Sequence, residues 1–343
     1  MTLSTRVSGS KGRILIAGAT GFIGNFIAEA SLEAGRPTYI LVRRSDSGSK
    51  AKAIQALRVK GAIIVYGSLN EQELLEKILK EEEIDVVVAA VGGANILDQL
   101  TLVKAIEAVG TIKRYLPSEF GHDVDRANPV EPGLSMYKEK RRVRRLIEDS
   151  GVPYTYICCN SIASWPYFDN THPSQLLPPL DYFQIYGDGT VKAYFVAGTD
   201  IGKFTIKATS DCRTLNKCVH FRPSCNLLNM NELACLWEKK IGRTLPRQTI
   251  TEDHLLAIAR ENSIPKSIVT SFTHDIFIKG CQINFSIDDA HDVEVTSLYP
   301  DETFRTMGEC FDDFLVKINK QPPNGITSKS PPLDALTISD TCA

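Results

Sequence analysis

The chain has 343 residues, 43% hydrophobic and 23% charged, with 39 Lys and Arg against 41 Asp and Glu for a net charge of −2. That balance excludes a dedicated basic nucleic-acid binder and a solvated disordered chain, and the length suits one large or two ordinary domains. Residues 1–11 are polar, with no apolar leader, and no stretch of about 18 apolar residues exists, so the expectation is a cytoplasmic chain with no membrane partner.

Along the first half, short apolar runs alternate with helical patterns. Residues 13–17 (RILIA), 38–42 (TYILV), 62–66 (AIIVY), 85–91 (DVVVAAV), 113–116 (KRYL) and 154–158 read as strands. Residues 22–32, 50–59, 71–80, 96–109 and 135–148 read as the intervening helices. Strands this rich in Val and Ile, alternating with helices, predict a parallel sheet covered on both faces. The fold class is therefore α/β: a doubly wound, Rossmann-like nucleotide domain with a smaller α/β substrate-binding domain. The expected division gives 11–158 to the nucleotide domain, completed by segments within 200–250. It gives 159–199 and 250–318 to the substrate region, and 320–343 to a mobile tail rich in Pro, Ser and Thr. Residues 164–188, dense in Pro, Tyr, Phe and Asp, read as a loop-rich cover or binding surface. Residues 230–241, after an Asn cap at 229 or 231, and 252–261 read as further helices.

Gly18, Gly21 and Gly24 form a G-x-x-G-x-x-G run between the first strand and first helix. Glycines there let the backbone turn tightly and approach a pyrophosphate, which sits on the helix N-terminus. Thr20, Phe22 and Ile23 complete the loop. The second strand ends in Arg43-Arg44 with no carboxylate to receive a ribose 2′-hydroxyl. A guanidinium at Arg43, seconded by Lys50, suits a 2′-phosphate, so the expected cofactor is NADPH. Gly92, after the fourth strand, lets backbone pass close to the cofactor. Ser118 and Phe120 are expected at the nicotinamide end, and Asn160, ending the sixth strand, beside cofactor or substrate.

His122 follows the fifth strand, at the sheet edge where open α/β folds bind ligands. Residues 138–145 (KEKRRVRR) hold six basic side chains in eight. That run reads as a solvated helix face except for Lys140, which is expected to act in catalysis and to touch the cofactor. Met136 stands four residues before Lys140, where short-chain dehydrogenases place their tyrosine, so the Tyr-x-x-x-Lys pair is missing. Tyr137 shares a helix face with Lys140 at i, i+3. Tyr137, Trp165 and Phe168 offer aromatic walls, with Ser161 and His274 as further substrate contacts. The nine cysteines lack any C-x-x-C pair, and Cys158 and Cys159 read as packing thiols. The remaining histidines, His172, His220, His254 and His291, show no ligand spacing, so no metal is expected.

The glycine run, Arg43 and residues 116–121 (LPSEFG) resemble the plant reductases related to isoflavone reductase, phenylcoumaran benzylic ether reductase and pinoresinol–lariciresinol reductase, which are atypical short-chain dehydrogenases. Lys140 within KxxxRRxIE, GVPYT at 151–155 and FIKG at 277–280 extend the likeness over residues 11–318. Residues 114–122, Ile157–Asn160 and the run Thr273-His274-Asp275 are most similar to members acting on flavan-3,4-diols; Tyr115 stands where those usually carry Phe. The resemblance implies NADPH-dependent replacement of the 4-hydroxyl of a small-molecule flavan-3,4-diol such as leucocyanidin by hydride. The product would be a flavan-3-ol such as catechin, in flavonoid and proanthocyanidin biosynthesis. Deprotonation of the 7-phenol would expel hydroxide and give a quinone methide, which needs a base and an acid. Lys140 is expected at the phenol and His122 at the leaving hydroxyl; the reverse assignment and relay through water stay open. Other readings are a benzylic ether, lignan or isoflavone reductase, or a non-catalytic NADP(H)-sensing regulator.

Overall fold

The computed structural model describes residues 12–48, 50–288 and 290–320; beyond Lys320 the tail expectation lies outside the described residues. Its core is a parallel sheet of β1 (Ile14–Ala17), β2 (Thr38–Val42), β3 (Ile63–Tyr66), β4 (Val86–Ala89) and β5 (Arg114–Leu116), in the order β3-β2-β1-β4-β5. An isolated parallel bridge, Tyr115 to Tyr154, carries the sheet on to β6 (Thr155–Cys158). Strand β6 pairs in parallel with β10 (Lys217–His220), which pairs in parallel with β13 (Asp292–Glu294). Every residue of β1, β2, β4, β5 and β6 is buried, as strands covered on both faces require.

Helices α1 (Phe22–Glu33), α2 (Ala51–Val59), α3 (Gln72–Glu81), α4 (Gln99–Val109) and α5 (Gly133–Ser150) connect these strands. Helix α6 (Gly198–Ala208) returns to lie on α1. Gly198 and Gly202 make that approach possible: a Cβ on Gly202 would sit 2.3 Å from the Phe26 carbonyl oxygen.

The second unit holds two small sheets. Strand β7 (Ser161–Ile162) pairs in parallel with β9 (Lys192–Val196), which pairs antiparallel with β11 (Leu227–Asn229). Strand β8 (Phe183–Tyr186) pairs in parallel with β12 (Arg247–Ile250). Around them stand α7 (Met230–Ile241), α8 (Glu252–Arg260), α9 (Lys266–Phe277) and α11 (Met307–Lys320), while the short α10 (Val295–Leu298) follows β13 on the large sheet. Asn229 caps α7 in a full capping box with Glu232. The unit has its own core around Trp165, Phe183, Tyr186, Trp237 and Phe311.

Two features differ from the sequence expectation. Residues 292–294 join the large sheet rather than the substrate region, because β13 completes the ladder beside β10. The basic run on α5 is not a uniformly solvated face. Met136, Lys140, Val143 and Ile147, with Tyr137 and Arg144, form its buried stripe. Arg144 is fully buried. Its Nη2 donates to Glu119 Oε2 and its Nη1 to Asp123 Oδ1, both at 2.8 Å, and it stacks 4.5 Å over the Tyr156 ring. Arg141 is half-buried and donates to the carbonyl oxygens of Val124 and Ala127.

Replacing Arg144 with Met strands two buried carboxylates, so it should cost about 3–5 kcal/mol. Arg145→Ala, which breaks only exposed pairs with Asp125 and Glu148, should cost under about 1 kcal/mol. Urea unfolding of the two variants checks the contrast.

Candidate active site

One elongated cleft runs along the carboxyl ends of the strands, opening where the chain order reverses between β1 and β4. The glycine loop forms one end. Gly18 has φ +83°, and a Cβ there would meet the Ala90 carbonyl oxygen at 2.1 Å. A Cβ on Gly24 would meet the Gly18 carbonyl oxygen at the same 2.1 Å. These two glycines are therefore demanded by the turn and by helix–strand packing. At Gly21 the nearest atom, the Gly18 carbonyl oxygen, would be 3.3 Å away, a tight fit without the clash found at Gly18 and Gly24, and the residue lines the cleft. Gly21 is also the N-cap of α1 and supplies no side-chain acceptor, which leaves the helix's first N–H groups toward the cleft.

Arg43 and Lys50 line the same end, with Thr20, Phe22, Ile23 and Gly92. Asn95 and Asp98, which the sequence gave no reason to single out, stand across from Arg43. Burial raises the Asp98 pKa, and the Arg43 charge opposes that rise.

At the other end, the loop after β5 is fixed from below by Arg144. Lys140 is buried, and its Nζ donates to the Glu119 carbonyl oxygen at 2.8 Å. His122 Nδ1 and the Tyr137 hydroxyl share a hydrogen bond. Burial, and after it the Lys140 charge, pushes the His122 pKa down to about 4, so the ring is neutral at pH 7. Phe120 (φ 34°) and Asn160 (φ 62°) hold left-handed backbone beside this group. The Asn160 amide donates to the Gly121 carbonyl oxygen at 2.9 Å, and its Nδ2 to the Phe221 carbonyl oxygen at 2.9 Å. Tyr137 stacks on Phe272 of α9, ring centroids 4.8 Å apart.

Of the residues expected at the site, Gly18, Thr20, Gly21, Phe22, Ile23, Arg43, Lys50, Gly92, Phe120, His122, Tyr137, Lys140, Asn160 and Ser161 line this cleft. Five others lie off it. Gly24 is beneath the loop. Ser118 is buried, its Oγ taken up by the Val91 backbone, and its own N–H donates to Gln99 Oε1. Trp165 packs on Phe183, and Phe168 sits edge-on to Tyr186, both within the second core. His274 Nε2 bonds Glu252 Oε1 at 2.9 Å, toward α8. Tyr167 also reaches the cleft, as do Val269, Phe272, Thr273, Ile276 and Phe277 of α9. On α9 the signal was readable: 269, 272, 273 and 276 follow i, i+3, i+4, i+7, and His274 falls outside that stripe.

A glycine turn under an uncapped helix N-terminus, a cation at the end of β2 and a buried Lys–Tyr–His group in one cleft define a dinucleotide-binding α/β protein equipped for proton transfer. The chain matches the NmrA-like family over residues 10–311 and belongs to it. It is 64% identical over 321 residues to a leucoanthocyanidin reductase of Desmodium uncinatum, spanning 93% of this chain and 84% of that one. A phenylcoumaran benzylic ether reductase of Ginkgo biloba is 45% identical over 307 residues, 89% of this chain and 99% of that one. Among solved structures, the binary complex of leucoanthocyanidin reductase with NADPH from Vitis vinifera has 72% identity and a TM-score of 0.86. It covers 89% of this chain and 100% of that one.

Removing the Lys140 charge should raise the His122 pKa above about 4 while burial, the larger cause, keeps it below the ordinary 6.5. An NMR titration of the ring in wild type and Lys140→Met measures both values.

Proposed function

We infer that this chain is an NADPH-dependent reductase that converts a flavan-3,4-diol such as leucocyanidin to a flavan-3-ol such as catechin. The observation carrying the reading is the buried Lys140–Tyr137–His122 group in a cleft that also opens on the glycine loop and Arg43. The substrate assignment draws on the leucoanthocyanidin reductases named above.

The cleft fits the cofactor on its own geometry. The Gly18 turn leaves no room for a Cβ, Gly21 lines the cleft, and the α1 N-terminus offers N–H donors to a pyrophosphate. Arg43 and Lys50 supply charge for a 2′-phosphate, while Phe120 and Asn160 border the opposite end. When bound, the reduced nicotinamide supplies the hydride for carbon 4 of the flavan.

The residues of the chain move the protons. Lys140 Nζ, as the neutral amine left after it gives a proton to solvent, takes the proton of the 7-phenol, and electron flow through the ring expels the 4-hydroxyl to give the quinone methide. A neutral imidazole is a weak acid by itself, so His122 acts as a relay. Its Nε2 proton goes to the departing hydroxyl as Nδ1 receives the Tyr137 hydroxyl proton. Water leaves, and the Lys140 ammonium, on the same face of α5, stabilises the tyrosinate. After carbon 4 is reduced, Lys140 returns its proton to O7, His122 Nδ1 returns its proton to the Tyr137 oxygen, and Nε2 regains one from solvent. The Tyr137–Phe272 stack offers an aromatic wall to the flat substrate, with Ser161 and Tyr167 on the facing side. Trp165 and Phe168 belong to the apolar cluster that also holds Tyr137 and Phe272.

Incubation with NADPH should yield catechin from leucocyanidin and no reduction of isoflavone or lignan substrates; the opposite pattern would sink the assignment. His122→Ala and Lys140→Ala should each lower kcat by about 10²–10⁴-fold, with His122→Ala leaving NADPH affinity nearly unchanged. Turnover surviving both changes would remove the proton relay. Arg43→Ala should erase the preference for NADPH over NADH by raising KM for NADPH alone, measured in paired steady-state titrations.

A further inference from the structure

His122 and Asp123 are neighbours in sequence with different surroundings: His122 lines the cleft, and Asp123 is buried outside it. Asp123 lies among Cys158 of β6 and Cys218 and His220 of β10. One ligand atom from each of these four residues lies within 4.8 Å of all the others. The two cysteines and the histidine share a sheet face because the register pairs Cys218 with Tyr156 and His220 with Cys158. We propose that Asp123, Cys158, Cys218 and His220 form a binding site for a thiophilic divalent cation of the zinc class, separate from the catalytic cleft.

The donor set is the reason. Zinc takes sulfur at ~2.3 Å, nitrogen at ~2.0–2.1 Å and oxygen at ~2.0–2.2 Å in a tetrahedron. The edges of such a tetrahedron are roughly 3.3–3.8 Å, so no pair of the four atoms needs to close by more than about 1.5 Å. The next shell is also present. His220 Nε2 lies 3.1 Å from Asp292 Oδ1, the carboxylate partner that a ligating imidazole usually has on its other nitrogen. Asp292 is itself held by Arg126 at 2.6 Å. Asp123 retains the capacity to ligate. Its Oδ1 accepts from Arg144 Nη1 and the Asp125 amide, while Oδ2 accepts, among the described residues, from Arg126 Nη1 alone. A carboxylate oxygen has two lone-pair directions, so one on Oδ2 remains for the cation.

Charge balances as well. Entry of the cation displaces the two thiol protons, so the net charge of the cluster is unchanged beside the buried guanidinium of Arg144. Cys218 is half-buried and borders a surface depression with Asp123, Arg126 and Asp292, which provides a path in. A disulfide suits the place less well. Cys158 and Cys218 are diagonal on neighbouring strands, with Cα atoms about 8 Å apart by strand spacing and rise. A disulfide tolerates about 7 Å at most.

Cobalt(II) is the probe, added to the reduced full-length protein. One equivalent should bring up the visible bands of a tetrahedral site together with a near-ultraviolet thiolate charge-transfer band, and zinc should displace both. Cys218→Ser and Cys158→Ser should each abolish the charge-transfer intensity of the tight site; Cys235→Ser, which alters an exposed thiol elsewhere, should not. Circular dichroism identifies any variant that has not folded, and Cys218→Ser, at a half-exposed position, decides if Cys158→Ser fails. Absence of the bands in wild type overturns the proposal. So does a spectrum that survives Cys218→Ser, which would place the cobalt on surface thiols.

Discussion

The guanidinium of Arg144 is the constraint on which the rest of the site rests. It sits in the fourth turn of α5, fully enclosed, and holds Glu119 and Asp123 from the loop after β5. That loop also supplies Phe120, Gly121 and His122 to the cleft, and its Glu119 carbonyl oxygen accepts from Lys140, one turn before Arg144 on the same helix. A single buried ion triad thus sets the distance between the helix that carries Lys140 and Tyr137 and the loop that carries His122. Left-handed backbone at Phe120 and Asn160 costs on the order of 1–3 kcal/mol each. The clamp below and the Asn160 hydrogen bonds above are what hold it in place.

Burial then decides the chemistry available. A lysine and a histidine in bulk water would both be charged near pH 6. Enclosed together, the histidine is driven to its neutral form, with Nδ1 hydrogen-bonded to the Tyr137 hydroxyl. The same enclosure makes the tyrosine more than an aromatic wall. This arrangement differs from the Tyr-x-x-x-Lys pair because Met136 occupies the tyrosine's usual place and is buried among the sheet residues. The phenol has moved one position along the helix and taken a histidine as partner.

The nucleotide half was legible in the sequence because its signals are local. Strand-length Val and Ile runs, a glycine triad at a strand–helix junction and an arginine ending β2 each lie within a few residues. The second half was less legible. Strands such as Phe183–Tyr186 and Arg247–Ile250 pair with each other across more than sixty residues, and neither stands out by itself. The aromatic contacts went astray for a related reason. Trp165 and Phe168 are large enough to line a ligand, but a small second unit needs such side chains for its own core. Residue type could not separate those uses, whereas the helical stripe on α9 could. The basic run on α5 was read by composition, when its spacing placed Lys140 and Arg144 one turn apart on the buried side. The cluster of Asp123, Cys158, Cys218 and His220 was invisible to ligand spacing, since its members come from a loop and two strands far apart in the chain.

The chain passes between its two halves repeatedly: at 158–161, 196–198, 220–227, 277–292 and 298–307. A molecule tied at so many points has no single hinge about which one half can swing. Each passage would have to bend in concert. The cleft between the halves is thus walled on both sides by a chain that crosses it five times, and the segment from Pro166 to Ser174 borders it as well.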